Sequence, residues 1–339
     1  MEENKRKQRV FGLDFVRAVA TVLIVMTHFN ARYIMLGNQD SLKKMIVTGT
    51  TFNIYIGSLG VSLFLMISGV ALMLTYENSF EKHSFYKKRF ISIYPMFWLA
   101  YIGAFFHQFY VYRGINQSIP KGNIILSIIG LDGYISNAGI PTFYILGEWF
   151  LGFIIIIYII FPILRIGVLK YPIPTAVVTI LLYVITLKYY KLPFPQHYFL
   201  FTRLPEVLFG MYFQRYAKKV NHVVVIVALG ILLLNTIIAP DVSSNLQTTY
   251  VGSASFLLLI YLGEICKKNN IVVSITKILC KYSYAIFLVH HYIIAYIMGK
   301  FDLNNITILE SYILFTLICC LIGIFAKLLY ESNRYILTR

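Results

Sequence analysis

The chain has 339 residues, of which 58% are hydrophobic, 16% aromatic and only 13% charged. Soluble domains carry about 25% charged residues, so this composition excludes an ordinary soluble enzyme and points to a chain that crosses a membrane many times. A net charge of +16 would suggest a nucleic-acid partner in a soluble protein; here the basic residues fall between apolar runs, as topology signals do, and no nucleic acid is expected.

The chain opens on a basic tail, residues 1–10, with Lys5, Arg6, Lys7 and Arg9. The apolar run that follows is full length and lacks a small-residue cleavage site, so it reads as a span and not as a cleaved signal peptide. Runs of about 20 residues, long enough to span, fall near 11–33, 52–76, 89–111, 143–169, 173–189, 198–216, 221–239, 248–265, 279–299 and 308–330. The fold class is therefore all-α: a polytopic membrane protein, a bundle of about ten transmembrane helices forming one domain over 1–339, with no internal repeat. With the N-terminus inside, 20 Lys and Arg fall in inner segments and 8 in outer ones, which places both termini in the cytoplasm. The longest outer connection, 112–142, holds an apolar piece, Ile124 to Ile129, too short to span; a short packed helix or a lid over an outward cavity is predicted. Cys266, Cys280, Cys319 and Cys320 show no metal-ligand or disulfide spacing, and no metal is expected.

Several polar residues sit where a membrane helix does not want them. The first span carries Asp14, Arg17 and His28. From Arg17 to His28 a helix turns through about 1100° and rises roughly 16 Å, so both side chains share a face at different depths. Asp14, one turn before Arg17, can be its ion partner. Ionisable groups inside a span usually face a cavity and mark a substrate path; the alternative places Asp14 and Arg17 at the inner headgroups and His28 at the outer ones. His28 could take a proton from a hydroxyl, and Arg17 could hold a phosphate or polarise a carbonyl. Lys87, Lys88 and Arg89, in a predicted inner loop from 82 to 89, would suit an anionic nucleotide, or are ordinary positive-inside residues.

The stretch Gly60 to Gly69, which includes Ser68, places small residues at helical spacing and predicts close helix packing. Glu148 and Trp149 open the fourth span; the Trp reads as an interfacial anchor, whereas the Glu has no such explanation. Arg203 and Glu206 form either a structural ion pair or part of a site. His290 and His291 point about 100° apart on a helix, so at most one is expected to face the cavity of His28. His107, His197 and His222 lie nearer the ends of spans and look interfacial. No HExxH, GxSxG or Walker loop occurs, which removes the common soluble-enzyme readings.

Together these residues resemble the acyltransferase 3 family of membrane O-acyltransferases, over essentially the whole chain. The run Leu13 to Ala20 ending in His28 is similar to its opening motif, and Gly60-Val61 through Ser68-Gly69 to its GVxxFxxxSG stretch. Arg89 with Pro95, Trp149-Phe150-Leu151 with Tyr158 and Pro162, Arg203-Leu204-Pro205-Glu206 with Gly210-Met211, and Ser283-Tyr284 with Leu288-Val289-His290 follow in the family's order. Two departures stand out. Where many members read RxxR, this chain has Arg89-Phe90-Ile91-Ser92; where some carry a Glu five residues after the Trp, it has Ile154. The hydrolase-like domain fused to some relatives is not expected here, so the acyl group is either transferred by this chain or handed to a separate extracytoplasmic acyl-accepting or glycan-assembly protein.

The resemblance implies a multi-pass enzyme of a bacterial cell membrane. It would take an acyl group, usually acetyl, from cytoplasmic acetyl-CoA or another acyl-CoA to a hydroxyl of a cell-envelope or exopolysaccharide sugar, on a carrier lipid or free. His28 would be the general base and Arg17, with Asp14, would orient the donor, a transient acyl-histidine being the variant; the coenzyme phosphates would meet Lys87, Lys88 and Arg89. Glu148, Trp149, Arg203, Glu206, Ser68 and His290 would support the site. Tyr134, Phe143, Tyr144, Trp149 and Tyr198 could stack on sugars or anchor at the interface. The competing reading is a polysaccharide transporter or export partner that uses the same cavity as a passage.

Overall fold

The computed structural model describes residues 10–338, so the basic residues Lys5 to Arg9 of the N-terminal tail, and Arg339, lie outside the described residues. Ten long helices follow the order of the predicted spans: α1 (Phe11–Ile34), α2 (Ile56–Tyr76), α3 (Lys82–Tyr112), α4 (Glu148–Lys170), α5 (Pro172–Tyr189), α6 (Leu200–Tyr212), α7 (His222–Ile238), α8 (Ser244–Cys266), α9 (Asn270–Met298) and α10 (Ile308–Thr338). Eight are long and apolar enough to cross a bilayer. The shorter two are α6, which a π-helical turn, Phe213–Ala217, prolongs, and the 17-residue α7. Among the described residues the only strands are a two-residue antiparallel hairpin, β1 (Thr50–Thr51) with β2 (Ile54–Tyr55). The protein is an all-α polytopic membrane protein.

Capping groups and backbone turns, more than hydropathy, place the helix ends. The Glu81 side chain accepts hydrogen bonds from the amides of His83 and Ser84, so α3 starts seven residues ahead of its apolar run. The predicted inner loop from 82 to 89 is therefore helix, and Lys87, Lys88 and Arg89 fan out around it in place of lining a loop. Asn269 caps α9 in the same way through Ile271 and Val272. At the other extreme, the hairpin delays α2 to Ile56, and α4 waits until Glu148.

Packing centres on α1, which lies against α2, α8 and α9. Small residues allow two close crossings. A Cβ on Gly12 of α1 would stand 2.9 Å from the Ile260 carbonyl of α8. Between α2 and α6, a Cβ on Gly69 would overlap the Val207 carbonyl, and one on Gly210 the Met66 carbonyl. The backbones touch there, which is the close packing predicted for Gly69.

The outer connection folds back between α3 and α4. Its short helix, Ile124–Ile128, is held by the Tyr94 hydroxyl donating to the Ile129 carbonyl (2.9 Å) and by Trp98 Nε1 donating to that of Ile128 (2.8 Å). Tyr101 donates to the Phe143 carbonyl at 2.5 Å. Of the two alternatives read from the sequence, the packed helix is the one found. Next to it, Asp132 is only 1% exposed, and its Oδ1 accepts from the Gly133 amide at 2.8 Å. Burial pushes this carboxyl up to about 6. The sign follows: an acid whose folded pKa lies above its unfolded value stabilises the fold when protonated, and that contribution is lost as pH rises from about 4 to about 6. Thermal unfolding across this range should show a falling midpoint for the wild-type protein, and Asp132→Asn should remove that part of the slope.

Candidate active site

Three helices bring ionisable side chains together at one level of the bundle. His28 comes from the upper half of α1, His290 and His291 from α9, and Glu148 from the first residue of α4. The His28 ring centroid is 4.9 Å from that of His290 and 4.7 Å from that of His291. Both adjacent histidines therefore approach His28, where the helical arithmetic allowed one. The imidazole of His28 lies between two directions 100° apart and is broad enough to meet both. Glu148 Oε1 contacts His291 Nδ1, and the nitrogen and oxygen donors of His28, His291 and Glu148 lie within 4.8 Å of one another. His290 is fully buried. Its Nδ1 meets the carbonyl of Phe287 at 2.8 Å, which anchors it to its own helix.

The start of α4 explains how a carboxylate reaches this point. Gly147 has φ +94° and Glu148 itself φ +46°. A non-glycine residue in the left-handed region costs on the order of 1–3 kcal/mol and persists only where the surroundings enforce it. Here the strain lies at the residue that contacts His291. His291 carried no motif signal in the sequence; its proximity to Glu148, more than 140 positions away, is a product of the tertiary fold.

Below this cluster lies a cavity of about 230 Å³ lined by Arg17, Ser68, Ser283, Tyr284, Phe150 and Phe287, among others. Arg17 thus faces the interior, with Asp14 beside it at 3.9 Å. His28 does not line this cavity. Phe287 and Phe150 do, and their rings are 5.7 Å apart, with Phe287 6.2 Å from His290. Arg17 and His28, which the shared helix face suggested line one tunnel, are thus not both found on this cavity, whose walls include the aromatic pair from α4 and α9.

At the inner face the basic triplet divides. Lys87 and Lys88 are exposed, whereas the Arg89 guanidinium turns inward among the rings of Tyr158, Tyr76 and Phe85, at 5.4, 5.9 and 6.0 Å. Lys87 and Arg89 line a cleft of about 390 Å³, and Tyr158 and Ile93 belong to both this cleft and the Arg17 cavity. Two other inner arginines are engaged elsewhere: Arg165 donates to the Tyr76 and Glu77 carbonyls at 2.6 and 2.9 Å, and Arg215 pairs with Glu77 at 2.5 Å.

The remaining sequence candidates are held by contacts with one another and with nearby backbone. Trp149 stacks on Tyr198 with centroids 4.3 Å apart, and Tyr134 donates to the Tyr198 carbonyl, so these three aromatics are occupied with one another. Arg203 Nη1 meets Glu206 Oε1 at 3.1 Å while its Nε donates to the His197 carbonyl at 2.7 Å. The two side chains are 4% and 0% exposed. His107 bonds the Tyr292 hydroxyl at 2.6 Å and His222 that of Tyr261 at 2.9 Å.

Two ring bases and a carboxylate thus gather between membrane helices, above a cavity that Arg17 lines, an arrangement of the kind that marks a candidate active site. The family model for the acyltransferase domain (acyltransferase 3) matches residues 10–329. The chain belongs to this family, and it is a multi-pass membrane acyltransferase. No curated protein and no solved structure matches it.

Removing one member of a buried ion pair leaves an uncompensated charge, at a cost of about 3–5 kcal/mol. Arg203→Ala should therefore lower the thermal midpoint of the detergent-solubilised protein sharply. An unchanged midpoint would show that this pair is not part of the structural frame.

Proposed function

We propose that the protein transfers an acyl group, acetyl in the first instance, from cytoplasmic acyl-coenzyme A to a hydroxyl of an extracytoplasmic envelope sugar, at a bacterial cell membrane. The observation that carries this reading is the meeting of His28, His291 and Glu148 above a cavity that shares Tyr158 and Ile93 with a cleft lined by Lys87 and Arg89. The exposed lysine and the ring-packed arginine suit the phosphates of the donor at the inner face. The narrow cavity beside Arg17 and Ser68 suits the thin arm that carries the thioester, with the Phe150–Phe287 pair as the last barrier before the histidines.

At the cluster, His28 withdraws the proton of the sugar hydroxyl. The oxygen bonds to the thioester carbonyl carbon, the carbon–sulfur bond breaks, and the departing thiolate takes the proton from the imidazole. Glu148 holds His291 by its Nδ1, and the pair supplies compensating charge as His28 becomes positive. Apolar walls of α1, α4 and α9 limit the water that would otherwise hydrolyse the donor. The same three donors have the composition of a His2Glu zinc set, which gives the test a clear alternative outcome.

General-base catalysis contributes about 10²–10⁴-fold, so His28→Ala should reduce transfer of label from [14C]acetyl-coenzyme A to envelope glycan by at least that order at normal membrane abundance. Arg89→Ala should raise the KM for acetyl-coenzyme A and leave kcat nearly unchanged. Activity that vanishes on chelation and returns with zinc would make His28 a ligand and not the base. Transfer retained by His28→Ala would remove the mechanism altogether.

A further inference from the structure

On the outer side of the bundle a second cavity, of about 680 Å³, lies within the roughly 300–1,000 Å³ of small-molecule sites. It is bounded by the last turns of α3 and by the two ends of the outer connection, 113–119 and 142–145. Gln108, Asn116 and Gln117 supply side-chain amides and Phe109 and Phe143 supply ring faces; among the described residues Arg113 is the one cation lining it and no carboxylate does. Each amide both donates and accepts, which matches the two-way hydrogen bonding of sugar hydroxyls. Aromatic faces match the apolar face of a pyranose ring. The absence of carboxylates together with one guanidinium favours a neutral or acidic chain over a cationic one.

The contrast with the cleft between α3, α9 and α10 is informative. That cleft has a similar volume, about 700 Å³, but its walls are Leu99, Ile293, Leu321, Phe325 and similar side chains, which suit a lipid tail. The outer cavity, in contrast, has a mixed amide and ring lining.

Tyr144 joins the outer cavity to the catalytic cluster. It lines the cavity, and its phenol reaches the Glu148 carboxylate. Glu148 in turn contacts His291 beside His28. We propose that this outer cavity is the acceptor subsite: it holds a pyranose segment of a neutral or acidic glycan and passes one hydroxyl along Tyr144 to His28. The inference rests on the acyl-transfer reading and adds to it where the acceptor sits and what class it belongs to.

Two measurements separate the two ideas. Oligosaccharides released by mild acid from the envelope glycan of the host cell serve as the binding probe for the purified protein. Membrane vesicles with intact glycan and [14C]acetyl-coenzyme A serve for transfer. Gln108→Ala with Phe109→Ala should weaken oligosaccharide binding by about tenfold or more and raise the acceptor KM, while acetyl-coenzyme A affinity stays within about twofold of wild type. Gln108→Leu, which keeps the volume, should weaken binding in the same direction and guards against misfolding as the cause. Wild-type binding and transfer in these variants would overturn the subsite and leave the reaction intact. Failure of the wild-type protein to bind the released oligosaccharides would also overturn it. Binding without transfer by the wild-type protein would uphold the subsite and overturn the acyl-transfer reading instead.

Discussion

A carboxylate placed against an imidazole between membrane helices is the interaction that the site depends on. Glu148 alone at that position would be an unpaired charge among apolar side chains, and such a group is costly. Its contact with His291 ties the start of α4 to the last third of α9, and the ring contacts of His28 with His290 and His291 tie α1 to the same point. The left-handed backbone at Gly147 and Glu148 is sustained by this arrangement. The site is therefore built on rigid helices, with strain concentrated at the one residue that has to turn inward.

Close backbone contact elsewhere makes that geometry possible. Gly12 lets α1 approach α8, and Gly69 and Gly210 bring α2 and α6 into contact. The Arg203–Glu206 pair and the Arg165 bonds to the end of α2 add polar ties on either side. A bundle fastened in this way holds α1, α4 and α9 at the spacing the histidines need, while the outer connection, pinned by Tyr94, Trp98 and Tyr101, closes the gap between α3 and α4.

Arg17 and the histidine cluster occupy different levels of the bundle, with Phe150 and Phe287 on the wall of the Arg17 cavity and Phe287 near His290. Arg17, Ser68 and Tyr284 share the lower cavity; His28, His291 and Glu148 gather above it. In a membrane acyltransferase, apolar side chains around the reacting groups limit access of competing water. That separation also shows why Arg17 and His28, on one helix face, need not share one cavity: the rise between them leaves room for two aromatic rings.

Residue pattern alone was enough for the helical membrane architecture and the order of the spans, and it drew attention to the ionisable residues of α1. Twenty-residue apolar runs have few alternatives in a bilayer, and ionisable residues within them are conspicuous. It also singled out Glu148, because a carboxylate beside an interfacial Trp has no routine explanation. Helix ends were less legible: Glu81 and Asn269 start helices well ahead of the apolar runs through side-chain hydrogen bonds that hydropathy does not register. Only the tertiary structure decided that both His290 and His291 approach His28, that Arg89 turns inward while Lys87 and Lys88 stay outside, and that Trp149 and Tyr198 stack on each other. Those outcomes depend on how helices rotate and tilt against one another, and that is set by glycine contacts and ring volumes summed over the whole bundle, not by any local run of residues.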